Sequence, residues 1–174
     1  MVTMILSTPK KADVMRLGPR EGLIVLRSIA YVSRATRPFI PEDLDALLLG
    51  ARVFNASVEV TGALFYHAGN FFQYIEGPDN SIAEVYQRIV QASSHTGIRK
   101  LLETEIKHRY FETWHMGFCE PPETAVQQLA NASWEKSMPI TRDEFEGFEG
   151  LSLAVYHWNK WSAEKRGSPS LFLP

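Results

Sequence analysis

The sequence predicts an α+β domain: an antiparallel-rich mixed sheet with two helices on one face. Three observations predict it. Two aromatic-rich runs, Ala63–Tyr66 and Phe71–Ile75, flank the turn signal His67-Ala68-Gly69-Asn70 and read as a β-hairpin. An apolar stripe at helical spacing lies on each side of that hairpin. An extended run lies outside each helix, so the order is β-α-β-β-α-β, with one more short strand behind it. That order is the split βαβ, ferredoxin-like sandwich with an added fifth strand.

The elements follow in chain order. Leu23–Ser33 is the first strand, with Ile29, Tyr31 and Ser33 on one face and Ala30 and Val32 on the other. Pro41-Glu42-Asp43 opens the first helix, with proline in the first turn and acids at the positive end of the dipole. Its buried stripe is Leu44, Leu47, Leu48 and Ala51, closed by Asn55, whose spacing fits a C-terminal cap. In the second hairpin strand Phe71, Gln73 and Ile75 share one face, and Phe72, Tyr74 and Glu76 the other. Ser81-Ile82-Ala83-Glu84 reads as a capping box for a second helix with the stripe Ile82, Val85, Tyr86, Ile89 and Val90, ending near His95. Ile98–Lys107 is a fourth strand, and Trp114–Cys119 a fifth with Trp114, Met116 and Phe118 on one face.

Pro121-Pro122 breaks the chain. Beyond it Glu123–Ser133 reads as a short helix. Thr141-Arg142-Asp143-Glu144 reads as a capping box before a stripe of Phe148, Leu151, Val155, Trp158 and Trp161. So aromatic a tail is expected to cover the sheet face that carries Ala30, Val32, Phe72 and Tyr74, or to build an oligomer contact there. The expected organisation is a flexible arm over 1–22, a folded α+β domain over 23–120 and a helical tail over 121–174.

Composition excludes several classes. A chain of 174 residues, 45% hydrophobic and 22% charged, suits one soluble domain. A net charge of −2 gives no broad attraction to nucleic acid or anionic membrane. One cysteine, Cys119, rules out an internal disulfide and fits a reducing compartment; beside Glu120 it reads as a quiet, half-buried thiol. There is no membrane-length apolar run and no secretory leader pattern, so the expectation is a cytoplasmic protein. Phosphate-binding loops, a nucleophile elbow and metal-ligand spacing are absent, and His108 and His115 lie seven apart without a third ligand. No enzymatic domain is expected.

What remains is a polar set on apolar elements. Gln73 sits mid-strand among Phe, Tyr and Ile, where an unpaired amide costs about 1–3 kcal/mol. In a ferredoxin-like sheet the first and third strands are central neighbours, so Tyr31 and Gln73 face the helices side by side, with Asn55 in reach. A phenol and two amides make a neutral pocket suited to a flat heteroaromatic ligand. Equally, they can be a tyrosine and a glutamine satisfying each other in the core. A third reading, an RNA-binding sheet using Phe72 and Tyr74, is opposed by near-neutral charge.

Residues 26–118 resemble a BLUF domain, the flavin-binding blue-light sensor. The resemblance lies in Ala30-Tyr31-Val32-Ser33, in Ala51-Arg52-Val53-Phe54-Asn55, in the run TGALFYHAGNFFQYIEGP, and in Arg109-Tyr110-Phe111-Glu112-Thr113-Trp114-His115-Met116-Gly117. It implies a non-covalent flavin, FAD with FMN or riboflavin as alternatives, and no metal. It implies that Tyr31 and Gln73 are the photochemical pair, through which light drives an electron and a proton toward the flavin and leaves the Gln73 hydrogen bonds rearranged. Asn55 and His95 join them in binding the flavin, and Trp114 and Met116, facing it together, relay the signal through the fifth strand and the tail to a protein partner. A homo-oligomer is expected. The chain departs from the family at Ala92-Ser93-Ser94-His95, where an Asp-x-Arg-His pattern is usual. The alternative is therefore a BLUF-like domain that has lost flavin and serves as a protein-interaction module.

Overall fold

The computed structural model describes residues 24–134 and 149–166. The chain runs β1 (Leu26–Ala35), α1 (Pro41–Ser57), β2 (Thr61–His67), β3 (Asn70–Pro78), α2 (Asp79–Gln91), β4 (His95–Ile106), β5 (Gly117–Cys119), α3 (Glu123–Asn131) and α4 (Glu149–Arg166). The sheet order is β4-β1-β3-β2-β5, with β5 parallel to β2 and every other pair antiparallel. This is the ferredoxin-like α+β plan with a fifth strand at one edge.

The hairpin is tight because His67 pairs with Asn70, leaving only Ala68 and Gly69 to turn. Both have positive φ, 45° and 83°. That is the sense of turn that matches strand twist, and glycine adopts it without steric cost. β1 lies beside β3 with Tyr31 directly opposite Gln73 and Ala30 opposite Tyr74. Alternation then sorts the interior into two layers. On one face Ile29, Tyr31, Leu64, Phe71 and Ile75 pack under Leu44 and Leu48 of α1 and Ile82 and Val85 of α2. On the other, Ala30, Phe65, Phe72 and Tyr74 pack under α3 and α4 through Val126, Leu129, Leu151, Ala154 and Trp158, with Trp134 beside them. Each large apolar side chain fully buried there contributes about 1.5–3 kcal/mol. Phe72 and Tyr74 are 0% exposed, so the stacking surface an RNA-binding sheet needs is covered.

Several boundaries differ from the sequence expectation. α2 begins at Asp79, whose N–H bonds the Val25 carbonyl, so Ser81 lies inside the first turn and caps nothing. β4 begins at His95, because β1 continues to pair with it as far as Ala35. β5 is only Gly117–Cys119. The preceding carbonyls are taken by other partners: Trp114 by the Gly62 N–H, His115 by Asn55 and Met116 by Arg52. Cys119 is fully buried. The arm over 1–22 and the capping box at Thr141 lie outside the described residues.

Candidate functional site

Between α1 and α2, above the sheet, lies a cavity of about 190 Å³. Its floor is Tyr31, Leu64, Phe71 and Gln73; α1 supplies Leu47, Gly50, Ala51, Phe54 and Asn55, and α2 supplies Val85, Arg88 and Ile89. Ala92, Ser94, His95 and Met116 complete the lining. Part of that lining is small: Gly50, Ala51, Ala92 and Ser94. A Cβ added at Gly50 would meet nothing within 4 Å.

A hydrogen-bonded chain crosses the floor. The Tyr31 hydroxyl donates to Gln73 Oε1, and Gln73 Nε2 donates to Met116 Sδ at 3.1 Å. Burial pushes the Tyr31 phenol well above its ordinary value, helped by the neighbouring Tyr86, so it keeps its proton. A thioether is a weak acceptor, so half of the Gln73 amide is poorly satisfied. A carbonyl or ring nitrogen entering the cavity would be a better partner. Asn55 commits an amide hydrogen to the His115 carbonyl at 2.7 Å while lining the cavity. Its side chain therefore ties α1 to the segment before β5 and is not a helix cap.

His95 is held by both nitrogens. Nε2–H donates to the Ile89 carbonyl at 2.9 Å, at the end of α2, and Nδ1 accepts from the Ser33 hydroxyl at 2.8 Å. Burial lowers its pKa, which keeps the ring neutral in this arrangement. Ser33 sits where the β1–β4 register shifts, which frees its hydroxyl for this contact.

The structure thus brings Tyr31, Gln73, Asn55, His95 and Met116 to one cavity. Trp114 is not among them. It is 38% exposed and lies edge-on to Trp158 of α4, with ring centroids 5.3 Å apart. The expectation of a shared face assumed strand alternation, and residues 114–116 are not in a strand. Two further residues went unread. Arg88, on the solvent side of the lining, lays its guanidinium over the Phe54 ring at 3.8 Å, and Arg52 donates to the Met116 carbonyl at 3.0 Å. Arg88 sits one turn beyond Val85 on the stripe, and Arg52 one turn before Asn55, so helical spacing was the available signal.

The profile of the BLUF family, sensors of blue light using FAD, matches residues 26–117. The chain belongs to the BLUF family. A photoactivated adenylate cyclase subunit beta from Euglena longa is 35% identical over 90 residues, covering 52% of this chain and 10% of that protein. The chain therefore spans about a tenth of the curated relatives it matches. Among solved structures, the dark state of the BLUF protein BlrB is 29% identical, with a TM-score of 0.53 over 55% of this chain and 73% of that one. A bacterial light-regulated adenylyl cyclase is 26% identical, with a TM-score of 0.54 over 56% of this chain and 29% of that one. BLUF domains bind flavin, and the donor set here fits one: a neutral floor, an under-satisfied amide at Gln73 and a second amide at Asn55. Ala92 and Ser94, where this chain departs from the usual acid and arginine, both line the cavity. Among the described residues no cluster of His, Cys, Asp and Glu could hold a metal, and no helix is long and apolar enough to cross a membrane.

Proposed function

We propose that the chain is a blue-light photoreceptor in which Tyr31 and Gln73 are the photochemical pair and the tail is the outlet to a protein partner. The observation that carries this reading is the Tyr31–Gln73–Met116 chain on the cavity floor. Asn55, Gln73 and His95 would hold the flavin ring, and Arg88, an exposed cation on the lining, suits the phosphate of FAD or FMN. When bound, the flavin supplies blue-light absorption and, once excited, an acceptor for one electron.

The rest is done by the chain's own groups. Removing an electron from a neutral phenol makes its hydroxyl strongly acidic, so electron loss from Tyr31 would be accompanied by release of that proton along the bond to Gln73 Oε1. Gln73 has an acceptor at one end of its amide and a donor at the other. Turning that amide withdraws the acceptor from Tyr31 and the donor from Met116 together. Met116 adjoins Gly117, and a Cβ at Gly117 would lie 2.3 Å from the Trp158 indole. A small displacement of Met116 is therefore felt by α4 without any flexible linker between them. Residues 23–120 would act as the sensor and 121–174 as its output arm, working in the cytoplasm, as a homo-oligomer and with no enzymatic domain of their own.

The test is an absorption spectrum of the purified protein with and without blue light. A yellow protein whose flavin band shifts reversibly to the red is expected, and Tyr31→Phe should keep the colour and lose the shift. A protein that stays colourless with excess FAD would instead favour the interaction-module reading, for which Ala92 and Ser94 are the specific support. A Tyr31→Phe variant that photocycles normally would remove Tyr31 from the pair.

A further inference from the structure

Glu76 lies on the opposite face of β3 from Gln73, 0% exposed, and the photochemical reading makes no use of it. Its carboxylate accepts the Tyr110 N–H at 2.8 and 2.9 Å and the Phe111 N–H at 2.5 Å. Those amides belong to the connection between β4 and β5, which passes from one face of the sheet to the other. Phe111 is in the core under α4, 5.9 Å from Trp158 between ring centroids, whereas Met116 is in the core under α1 and α2. β3 therefore holds this connection at both ends, through Glu76 at its start and through Gln73 at Met116.

We propose that Glu76 is a positioning residue for the light response: its ionised carboxylate fixes the Tyr110–Phe111 turn, and so seats Met116 against Gln73 and Trp114 against Trp158. Oε1 accepts both amides and Oε2 only the second branch of the Tyr110 bond, so protonation at Oε2 removes that branch and the charge that strengthens both bonds. The groups that face Glu76 are few. Tyr74 comes from β3, Ser28 stands opposite on β1, Thr61 reaches it from β2 at 3.5 Å, and Tyr110 and Arg109 come from the connection itself. The Arg109 guanidinium is already spread over the Thr61 hydroxyl and the carbonyls of Glu76 and Glu59, so it does not pair with the carboxylate directly. The hydroxyls of Ser28 and Tyr74 lie buried beside it, and either can turn to accept from a protonated Glu76. Both protonation states can thus be satisfied, and the connection has two settings. Burial pushes the carboxyl up to about 7, against the opposing pull of the Tyr110 and Phe111 amides, the Tyr74 hydroxyl and Arg109, so the change of setting falls near neutral pH. Above that point the turn is fixed; below it the turn is loose.

The experiment follows the amide protons of Tyr110 and Phe111 by NMR in the full chain over about pH 5.5 to 8.5. Both should move with one midpoint near neutral pH in the wild type and stay still in Glu76→Gln. In the flavin-loaded protein, the light-dependent change in hydrogen exchange of α4 should be lost below that midpoint while the red shift persists. Amides that do not titrate in the wild type, or that still titrate in Glu76→Gln, would overturn the proposal, as would an α4 response that ignores pH. The light arm rests on the photoreceptor reading and the amide arm does not. A protein with no red shift at any pH would thus sink that reading, and the amides would still decide the role of Glu76. If Glu76→Gln fails to fold, Tyr74→Phe serves instead. It removes a hydroxyl that favours the carboxylate, so the midpoint should rise, and a midpoint that stays or falls would assign the titration to another group.

Discussion

Alternate residues of β3 meet two different interiors. Phe72 and Tyr74 enter a layer filled by aromatic contacts: Phe72 stacks on Trp134 at 5.6 Å, Phe65 meets Trp158 at 6.3 Å, and Phe111 meets Trp158 at 5.9 Å. That layer is tight around α4, since a Cβ at Gly150 would come within 2.3 Å of the Trp134 ring. Gln73, between them in sequence, enters a layer that keeps a cavity and floors it with a phenol, an amide and a thioether. One strand thus separates a face built for cohesion from a face built for a ligand. The covered face is closed over by α3 and α4, whereas the cavity face leaves an amide on a weak acceptor and space beside small residues. Damage on the first face should appear as lost stability, and damage on the second as lost response.

The largest expected effect is therefore on the filled face. Trp158→Ala removes the ring that touches Phe65, Phe111 and Trp114 and covers Gly117. A cavity left in so tight a layer costs about 3–5 kcal/mol. Urea unfolding followed by circular dichroism should show that loss, with the absorption band of the protein that remains folded unchanged. A loss below about 1 kcal/mol would show that α4 is not part of the sheet's core, and the contrast between the faces would fail.

The division between faces was legible in the sequence because a strand's period is two: Tyr31 and Gln73 fell together, and Phe72, Tyr74 and Glu76 fell together. Strand order put Tyr31 and Gln73 side by side on one face, whereas their standing directly opposite each other is a matter of register, which only the structure shows. The segment Trp114–Met116 was not legible, because alternation is informative only where a ladder exists. Here Gly62, Asn55 and Arg52 take the carbonyls, and Trp114 turns to Trp158 while Met116 turns to Gln73. Glu76 was placed on its face, but its partners are backbone N–H groups more than thirty residues away, which leave no trace in composition or spacing. The cavity was inferred from its polar residues, whereas its volume depends on Gly50, Ala51 and Ala92, whose smallness carries no periodic signal.

Asn55→Ala belongs to the middle of the range and sharpens the contrast, since Asn55 serves both roles. Its amide satisfies the His115 carbonyl and also lines the cavity. Leaving that carbonyl without its donor costs about 1–3 kcal/mol. Flavin retention on gel filtration should fall as well, measured against the same urea curve. A variant that loses stability but keeps its flavin would make Asn55 a tie between α1 and the segment before β5 and nothing more.

Gln73→Leu should have the smallest effect on the fold and the most complete effect on the response. The substitution removes the acceptor of the Tyr31 hydroxyl and the donor to Met116 at one stroke. A buried hydroxyl left unpaired costs about 1–3 kcal/mol. Against that, an amide that was only half satisfied is exchanged for an apolar side chain of similar size, whose burial contributes about 1.5–3 kcal/mol. The two terms nearly cancel, so the midpoint of urea unfolding should move little, far less than for Trp158→Ala. The red shift should vanish, because no amide remains to change its hydrogen bonding. Unfolding as easy as that of Trp158→Ala would place Gln73 among the residues that hold the sheet together. A red shift that survives would mean that the light response does not pass through Gln73, and the cavity face would then owe its polarity to the ligand alone.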